Sequence, residues 1–313
     1  MSLACGIDVG GTKISGGVVD ETGSVLEELR VVSPAADVEA IEDAITSLVT
    51  QLRSRHDIAA VGVGAAGYVD KARAVVMFAP NIAWRDVDLK AELEERIHLP
   101  VVVENDANAA AWGEFTYGAG HDIDDLLMVA VGTGVGGGVV LDGELYRGAF
   151  GVGAEIGHMR VVPDGILCGC GNRGCLEQYA SGSALVREVR AAARGGSLLA
   201  ADLLERAGGD PDRITGPLVT EAARAGDPFA VEQLEVLGRW LGEGIASLTA
   251  VLDPAVVVIG GGVSEADELL LRPVRAAFAS QLTGRGHRPV LDIRRARLGN
   301  RAGLIGAADL ARR

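Results

Sequence analysis

The sequence lacks an excess of positive charge. Its 313 residues include 29 lysines and arginines and 43 aspartates and glutamates, which gives a formal net charge of −14 at pH 7. Nonspecific binding to nucleic acid or to an anionic membrane requires a cationic surface, because both partners are themselves negatively charged. The charge balance therefore argues against nucleic acid and membrane as partners.

The sequence also lacks a segment that would carry it into or across a membrane. Asp8 interrupts the first apolar run before the core of a secretory signal is complete. The longest uncharged apolar run, residues 126–141, contains five glycines and is shorter than the roughly 20 residues of a membrane-spanning helix. We therefore expect a cytoplasmic protein.

Cysteine is scarce and unevenly placed. Three of the four cysteines, Cys168, Cys170 and Cys175, lie within eight positions, and His158 precedes them. Three thiolates and one imidazole form a set that structural zinc takes, and a reducing cytoplasm keeps the thiols available for the metal. A disulfide or a set of buried thiols is the alternative, but Cys168 and Cys170 are too close for easy pairing. The pattern predicts a structural Zn²⁺ site.

Glycine, in contrast, is abundant. The 44 glycines are about twice the share of an average protein, and they cluster after apolar runs, which indicates tight loops at strand ends. Loops of this kind occur at residues 10–13, 132–134 and 260–262. Backbone N–H groups can approach a phosphate closely where no Cβ intervenes, and the third loop could admit a flat base and ribose. The three loops together favour a nucleotide gripped between two halves of the chain.

Each loop taken alone is a weaker signal. Thr12 could add a hydroxyl donor and Lys13 a charge to the first loop, although an ordinary hairpin explains it equally well. The second loop matches neither the P-loop nor the dinucleotide fingerprint, since an apolar run rather than a helix follows it. The residues expected to contact the nucleotide are Gly10, Gly11, Thr12, Lys13, Gly132, Thr133, Gly134, Gly260, Gly261 and Gly262.

The apolar periodicity predicts an α/β protein of about two domains. Strands are expected at residues 4–9, 14–19, 25–32, 59–63, 101–103, 126–131, 135–141 and 255–259, with a helix capped by Asp37 after the third strand. We expect a mixed sheet in each half and a cleft between the halves. The predicted domains are residues 1–117 and 118–302, with a C-terminal helix at 303–313 packing back on the first.

Asp106 is the candidate catalytic residue. It follows an apolar strand and opens the Ala-rich, helix-forming stretch 105–117, where the helix dipole favours a carboxylate. N-capping by Asn105 or Asp106 would explain the pattern without catalysis. The functional interpretation is a general base that takes a proton from a substrate hydroxyl, with Asn105 as a hydrogen-bonding neighbour.

Further side chains are suited to bind a polyhydroxylated acceptor or a metal ion. Glu155 and Glu177 bracket the zinc set, and ionised carboxylates accept hydrogen bonds from vicinal hydroxyls. His158 could bind zinc through one ring nitrogen and a sugar hydroxyl through the other. Asp8, beside the first glycine loop, is a candidate for holding Mg²⁺ directly or through water, although an acid at a strand end needs no such role.

Together these motifs resemble the ROK family (repressors, open reading frames and sugar kinases) over almost the whole chain. DVGGTK at residues 8–13 resembles the first phosphate motif, and ENDANAA at 104–110 resembles the catalytic motif. VGTGVGGG at 131–138 resembles the second phosphate region, EIGH followed by CGCGNRGCLEQYASG resembles the sugar and zinc signature, and GGGV at 260–263 resembles the adenosine region. Within the family the sequence is most similar to bacterial glucokinases of the actinobacterial type.

The resemblance implies the actin-like ATPase (ribonuclease H-like) fold, with two α/β domains around a cleft. It implies transfer of the ATP γ-phosphoryl group to the 6-hydroxyl of glucose with Mg²⁺, and a homodimer or homotetramer. The implied residues are Asp106 as base, Asn105, Asp106, Glu155, His158 and Glu177 at the sugar, Val263 at the nucleotide, and His158, Cys168, Cys170 and Cys175 at zinc. One departure is Gly153-Ala154, where the family often has Ala-Gly before the first glutamate.

Two other interpretations stay open at this point. The same mechanism could act on mannose, fructose, allose or an N-acyl hexosamine, and polyphosphate could replace ATP as donor. A sugar-responsive repressor of the family would carry a helix-turn-helix before the first phosphate motif. Because Asp8 leaves no room for one in this sequence, we expect a kinase.

Overall fold

The structure, a computed structural model, describes residues 2–313. Its contacts form two compact units. The first contains the chain up to Met128 together with Gly137–Ala154 and Ala296–Arg313, and the second contains Val129–Gly136 and Glu155–Arg295. Each unit therefore draws on stretches that are far apart in sequence, and the domain limits at residues 117 and 302 remain a prediction.

Residues 2–313 form thirteen β-strands and ten α-helices. The strands are β1 (Leu3–Val9), β2 (Lys13–Val19), β3 (Val25–Val32), β4 (Ile58–Ala65), β5 (Tyr68–Val69), β6 (Val76–Phe78), β7 (Arg85–Val87), β8 (Val101–Asn105), β9 (Leu126–Val131), β10 (Val135–Leu141), β11 (Glu144–Tyr146), β12 (Val256–Gly260) and β13 (Asp292–Arg295). The helices are α1 (Val38–Arg53), α2 (Leu89–Ile97), α3 (Asp106–Tyr117), α4 (Glu177–Ala180), α5 (Gly182–Arg194), α6 (Ala201–Arg206), α7 (Gly216–Arg224), α8 (Pro228–Leu252), α9 (Glu268–Gln281) and α10 (Ala302–Leu310).

A five-stranded sheet in the first unit has the order β3-β2-β1-β4-β8. β1, β2 and β3, at the predicted strand positions, form an antiparallel meander, whereas β1, β4 and β8 run parallel. In the register of the parallel strands, Asp8 aligns with Gly64 and Gly64 aligns with Glu104. The carboxyl ends of β1 and β8, which carry Asp8 and lead into Asp106, therefore lie at the same edge of the sheet.

Helix α1 packs on this sheet through one apolar face. Asp37 caps the helix, and its side chain accepts a hydrogen bond from the Ala40 N–H, which confirms the predicted N-cap. Ile41, Ile45 and Leu48 recur at helical spacing and are buried in one core with apolar residues of β1, β4 and β8. The core thus forms because the sequence places its apolar residues on one side of α1.

Helix α10, near the end of the chain, packs directly on strands of the first unit and on α3. Two glycines allow this close approach. A Cβ at Gly6 would lie 1.9 Å from the carbonyl oxygen of Leu304, and a Cβ at Gly62 would lie 1.8 Å from that of Ala307. Any larger residue at either strand position would push α10 away from the sheet.

A second five-stranded sheet has the order β11-β10-β9-β12-β13, and the strands predicted at 126–131, 135–141 and 255–259 belong to it. The 25-residue α8 lies in the second unit and packs along α9. The three-stranded sheet β5-β6-β7 was not predicted. Of the helices formed by residues 2–313, none combines the length and apolar character that a bilayer span requires.

Candidate active site

The junction between β8 and α3 holds the candidate base. β8 ends at Asn105 and α3 begins at Asp106. Asn105 is the N-cap, since its Oδ1 accepts a hydrogen bond from the Asn108 N–H at 3.0 Å. Its Nδ2 donates to the Gly67 carbonyl oxygen at 3.0 Å and to Asp106 Oδ1 at 3.2 Å. Capping is therefore the task of Asn105, and Asp106 stands in the first turn, where the helix dipole favours its ionised form.

Glu104, a buried carboxylate, directly precedes the junction. No role was assigned to it from the sequence. Glu104 is 2% exposed. Its Oε2 accepts a hydrogen bond from Arg147 Nε at 2.6 Å, and its Oε1 accepts from the Asn105 N–H and from Asn108 Nδ2, both at 3.1 Å. One sequence feature indicates a buried, paired Glu104: it is a charged residue at the end of an otherwise apolar strand.

The first glycine loop is a tight turn between β1 and β2. The Gly10 N–H donates to the Lys13 carbonyl oxygen at 3.0 Å, and the Thr12 and Lys13 side chains are exposed. Asp8 lies within β1 rather than after it. Burial raises the pKa of the Asp8 carboxyl, and the nearby Lys13 ammonium opposes that rise.

Asp8 and the candidate base lie close together in the first unit. A Cβ placed on Gly303, in the first turn of α10, would be 3.7 Å from Asp8 Oδ1 and 3.8 Å from the Asp106 carbonyl oxygen. The start of α10 thus lies within van der Waals reach of both aspartates. Its position, nearly 200 residues after Asp106 in the sequence, gave no sign of this proximity.

The second and third glycine loops lie side by side in the second unit. Gly261 has φ of +79°, and a Cβ there would lie 2.4 Å from the Val131 carbonyl oxygen, at the end of β9. The Gly182 N–H, at the start of α5, donates to the Gly132 carbonyl oxygen at 2.8 Å. A Cβ on Gly132 or Gly262 would meet no atom within 4 Å. Both positions are therefore open to a ligand.

The predicted zinc ligands come together in the second unit. The ligand atoms of His158, Cys168, Cys170 and Cys175 all lie within 4.8 Å of one another. Cys168 Sγ is 3.7 Å from His158 Nδ1, and the Cys170 and Cys175 sulfurs are also 3.7 Å apart. A tetrahedral zinc with ordinary bond lengths would separate neighbouring ligand atoms by about 3.5–3.8 Å. The set therefore fits one tetrahedral zinc ion.

The two bracketing glutamates lie next to this cluster. Glu177 Oε1 is 3.0 Å from Cys168 Sγ, and a Cβ on Gly134 of the second glycine loop would lie 2.7 Å from Glu177 Oε2. The Glu155 side chain is exposed, yet surrounding protein displaces enough water to raise the pKa of its carboxyl. The Glu177 carboxylate adds to that rise. Glu177 thus connects the metal cluster with the second glycine loop.

Known proteins resemble this chain along almost its whole length. The ROK family model matches residues 4–313. The chain is 51% identical over 312 residues to the glucokinase of Streptomyces coelicolor, which covers all of this chain and 98% of that protein. The crystal structure of a ROK family glucokinase from Streptomyces griseus, in complex with glucose and AMPPNP, is 53% identical, has a TM-score of 0.92 and covers 99% of each chain.

More distant similarity extends to regulators. The xylose repressor of Bacillus subtilis is 32% identical over 282 residues, which are 88% of this chain and 68% of the repressor. The predicted family and the predicted mixed α/β, actin-like fold are both confirmed. Because the family match spans nearly the entire sequence, the chain belongs to the ROK family.

Proposed function

We propose that the chain is an ATP-dependent glucokinase, which transfers the γ-phosphoryl group of ATP to the 6-hydroxyl of glucose. The observation that carries the proposal is the identity of about half of all residues with a bacterial glucokinase along the full length. The glucose and AMPPNP complex of the Streptomyces griseus enzyme supports the same pair of substrates. The cytoplasmic location and the homodimer or homotetramer remain predictions.

Asp106 acts as the general base in this proposal. Its carboxylate takes the proton of the 6-hydroxyl while that oxygen forms a bond to the γ-phosphorus. The bond from the γ-phosphorus to the bridging oxygen breaks, and ADP leaves with the electron pair. Hydrogen bonds from the Ala107 N–H at 2.9 Å and from Asn105 Nδ2 reach Asp106 Oδ1. They hold the carboxylate at the start of α3.

The sugar hydroxyls are assigned to Asn105, Glu155, His158 and Glu177. Because His158 Nδ1 faces the Cys168 sulfur, Nε2 is the nitrogen left for a sugar hydroxyl. When bound, zinc cross-links the loop that carries these side chains, and all four ligand positions are filled by protein. The zinc role is therefore structural, and no step of the transfer passes through it.

The glycine loops bind the nucleotide in this proposal. The loop at 10–13 and the loop at 132–134 offer backbone N–H groups to the phosphates, and Gly260–Val263 takes the adenosine. When bound, Mg²⁺ neutralises charge on the transferring phosphoryl group. Asp8, as one carboxylate near the base, suits a cation that keeps several of its waters.

The test measures ADP production by purified protein with Mg-ATP and a panel of hexoses. Glucose is expected to give the highest kcat/KM among glucose, mannose, fructose, allose and an N-acyl hexosamine. A higher kcat/KM with another hexose would show that this hexose, and not glucose, is the acceptor, and the protein would still be a sugar kinase. No ADP with any sugar would overturn the proposal, and a parallel assay with polyphosphate identifies the donor.

A further inference from the structure

The ion pair of Glu104 and Arg147 is close to the proposed base, and the proposed reaction assigns it no role. The two side chains are 3% and 20% exposed. A pair that is removed from water to this extent loses much of its hydration, so its net contribution to folding stability is often small. The pair does, however, impose a fixed geometry on the residues around it.

Glu104 holds the chain on both sides of Asp106. One carboxylate oxygen accepts hydrogen bonds from the backbone of Asn105 and from the side chain of Asn108. Asn105 in turn caps α3 and donates to Asp106 Oδ1. The position of the base therefore depends, through its two neighbours, on where the Glu104 carboxylate lies.

Arg147 fixes the orientation of that carboxylate and begins the segment that leads to Glu155. Residues 147–153 close on themselves, since the Gly153 N–H donates to the Arg147 carbonyl oxygen at 3.0 Å. Gly151 has φ of +95°, and a Cβ there would lie 2.3 Å from the Val69 carbonyl oxygen. This segment is thus seated on the small sheet and presents Arg147 from a fixed position.

We propose that Glu104 and Arg147 form a positioning pair, which holds the Asn105–Asp106 junction in the geometry that proton abstraction needs. The inference rests on the proposed function, because it assigns the pair to the same reaction. Arg73 is a second guanidinium near the pair and could partly replace Arg147. The test therefore substitutes Glu104 as well as Arg147.

The experiment compares Arg147→Met and Glu104→Gln with a matched control, Arg96→Met. Arg96 pairs with Glu42 at 2.9 Å, and the two side chains are 28% and 5% exposed, close to the values of the proposed pair. We expect kcat for glucose to fall on the order of 10–100-fold in the first two variants, since a displacement of about 1 Å costs up to that much. Arg96→Met should keep kcat within about twofold, because Arg96 pairs with acids of α1 and makes no contact with the Asn105–Asp106 junction.

Two further readouts separate positioning from loss of structure. Hydrogen exchange of residues 102–110 should accelerate in Arg147→Met and stay unchanged in Arg96→Met. Arg147→Lys keeps the charge and should recover part of kcat; it also replaces Arg147→Met if that variant does not fold. Equal kcat in Arg147→Met and Arg96→Met would overturn the proposal that Glu104 and Arg147 position the junction.

Failure of the proposed function gives a different result. In that case the wild-type protein itself produces no ADP with any hexose. The catalytic part of the inference then falls with the reaction, and hydrogen exchange tests only whether the pair holds the junction: faster exchange at 102–110 in Arg147→Met supports this, and unchanged exchange overturns it.

Discussion

Two parts of the candidate site are held in place in different ways. At the β8–α3 junction, protein groups fix the polar side chains: Asn105 caps the helix, and Glu104 pairs with Arg147. Residues 159–176, in contrast, contain only isolated β-bridges and carry three of the four residues of the His/Cys cluster, the predicted zinc ligands. Hydrogen bonds and an ion pair hold the junction, whereas the proposed zinc would cross-link the loop. We therefore expect the loop, and not the junction, to lose its geometry when metal is removed.

The largest expected effect comes from removing the base without disturbing the junction. Asp106→Asn keeps the shape of the side chain and cannot take a proton. We expect kcat to fall by about 10²–10⁴-fold, with glucose affinity and Tm nearly unchanged. Steady-state kinetics, calorimetric titration of glucose and thermal denaturation measure the three quantities.

A second aspartate at a helix start provides the control. Asp88 caps α2 and accepts a hydrogen bond from the Ala91 N–H. Asp88→Asn should therefore change stability slightly and leave kcat unaltered. Near-normal turnover by Asp106→Asn would remove Asp106 from the catalytic role.

The next effect tests the dependence of the loop on metal. In Cys170→Ser a hydroxyl replaces a zinc ligand, so we expect the protein to lose its zinc, about one ion per chain. The glucose KM should rise on the order of 10–100-fold, because Glu177 contacts the cluster. Elemental analysis and steady-state kinetics report the two changes.

The remaining cysteine is a matched control for this change. Cys5 is buried in the core of the first unit and lies outside the cluster, so Cys5→Ala should keep both zinc and KM. A metal-free Cys170→Ser protein with the sugar affinity of the wild type would contradict the expectation that the loop, unlike the junction, needs a metal for its geometry.

Features with a local signal were predictable from the sequence. The zinc ligands share one short segment, the glycine loops each follow an apolar run, and the predicted strands and caps formed where the pattern placed them. Interactions between distant residues were not predictable. The buried Glu114 carboxylate accepts hydrogen bonds from the backbone N–H groups of Arg297 and Leu298, 183 and 184 residues away. No periodicity in α3 distinguishes such an acceptor from a misplaced charge.

The smallest expected effect comes from changing Asp309, another buried acid, which packs against α3. Asp309 accepts hydrogen bonds from Trp112 Nε1 at 2.8 Å and from the Tyr117 hydroxyl at 2.6 Å. Burial alone would raise the pKa of the Asp309 carboxyl. The hydrogen bonds from Tyr117 and Trp112 and the charge of Arg313 outweigh it, so the pKa lies below its usual range.

The sign of the pH dependence follows from this lowered pKa. A carboxyl whose pKa is lower in the folded state stabilises the fold fully above its unfolded value of about 3.9 and loses that contribution as pH falls through the folded value. Asp309→Asn should therefore reduce the free energy of unfolding by about 1–3 kcal/mol at pH 7 and flatten the fall of Tm in acid. Asp292→Asn, at an exposed ion pair, should keep the wild-type slope. If Asp309→Asn also kept that slope, the charge of Asp309 would not be what holds α10 against α3.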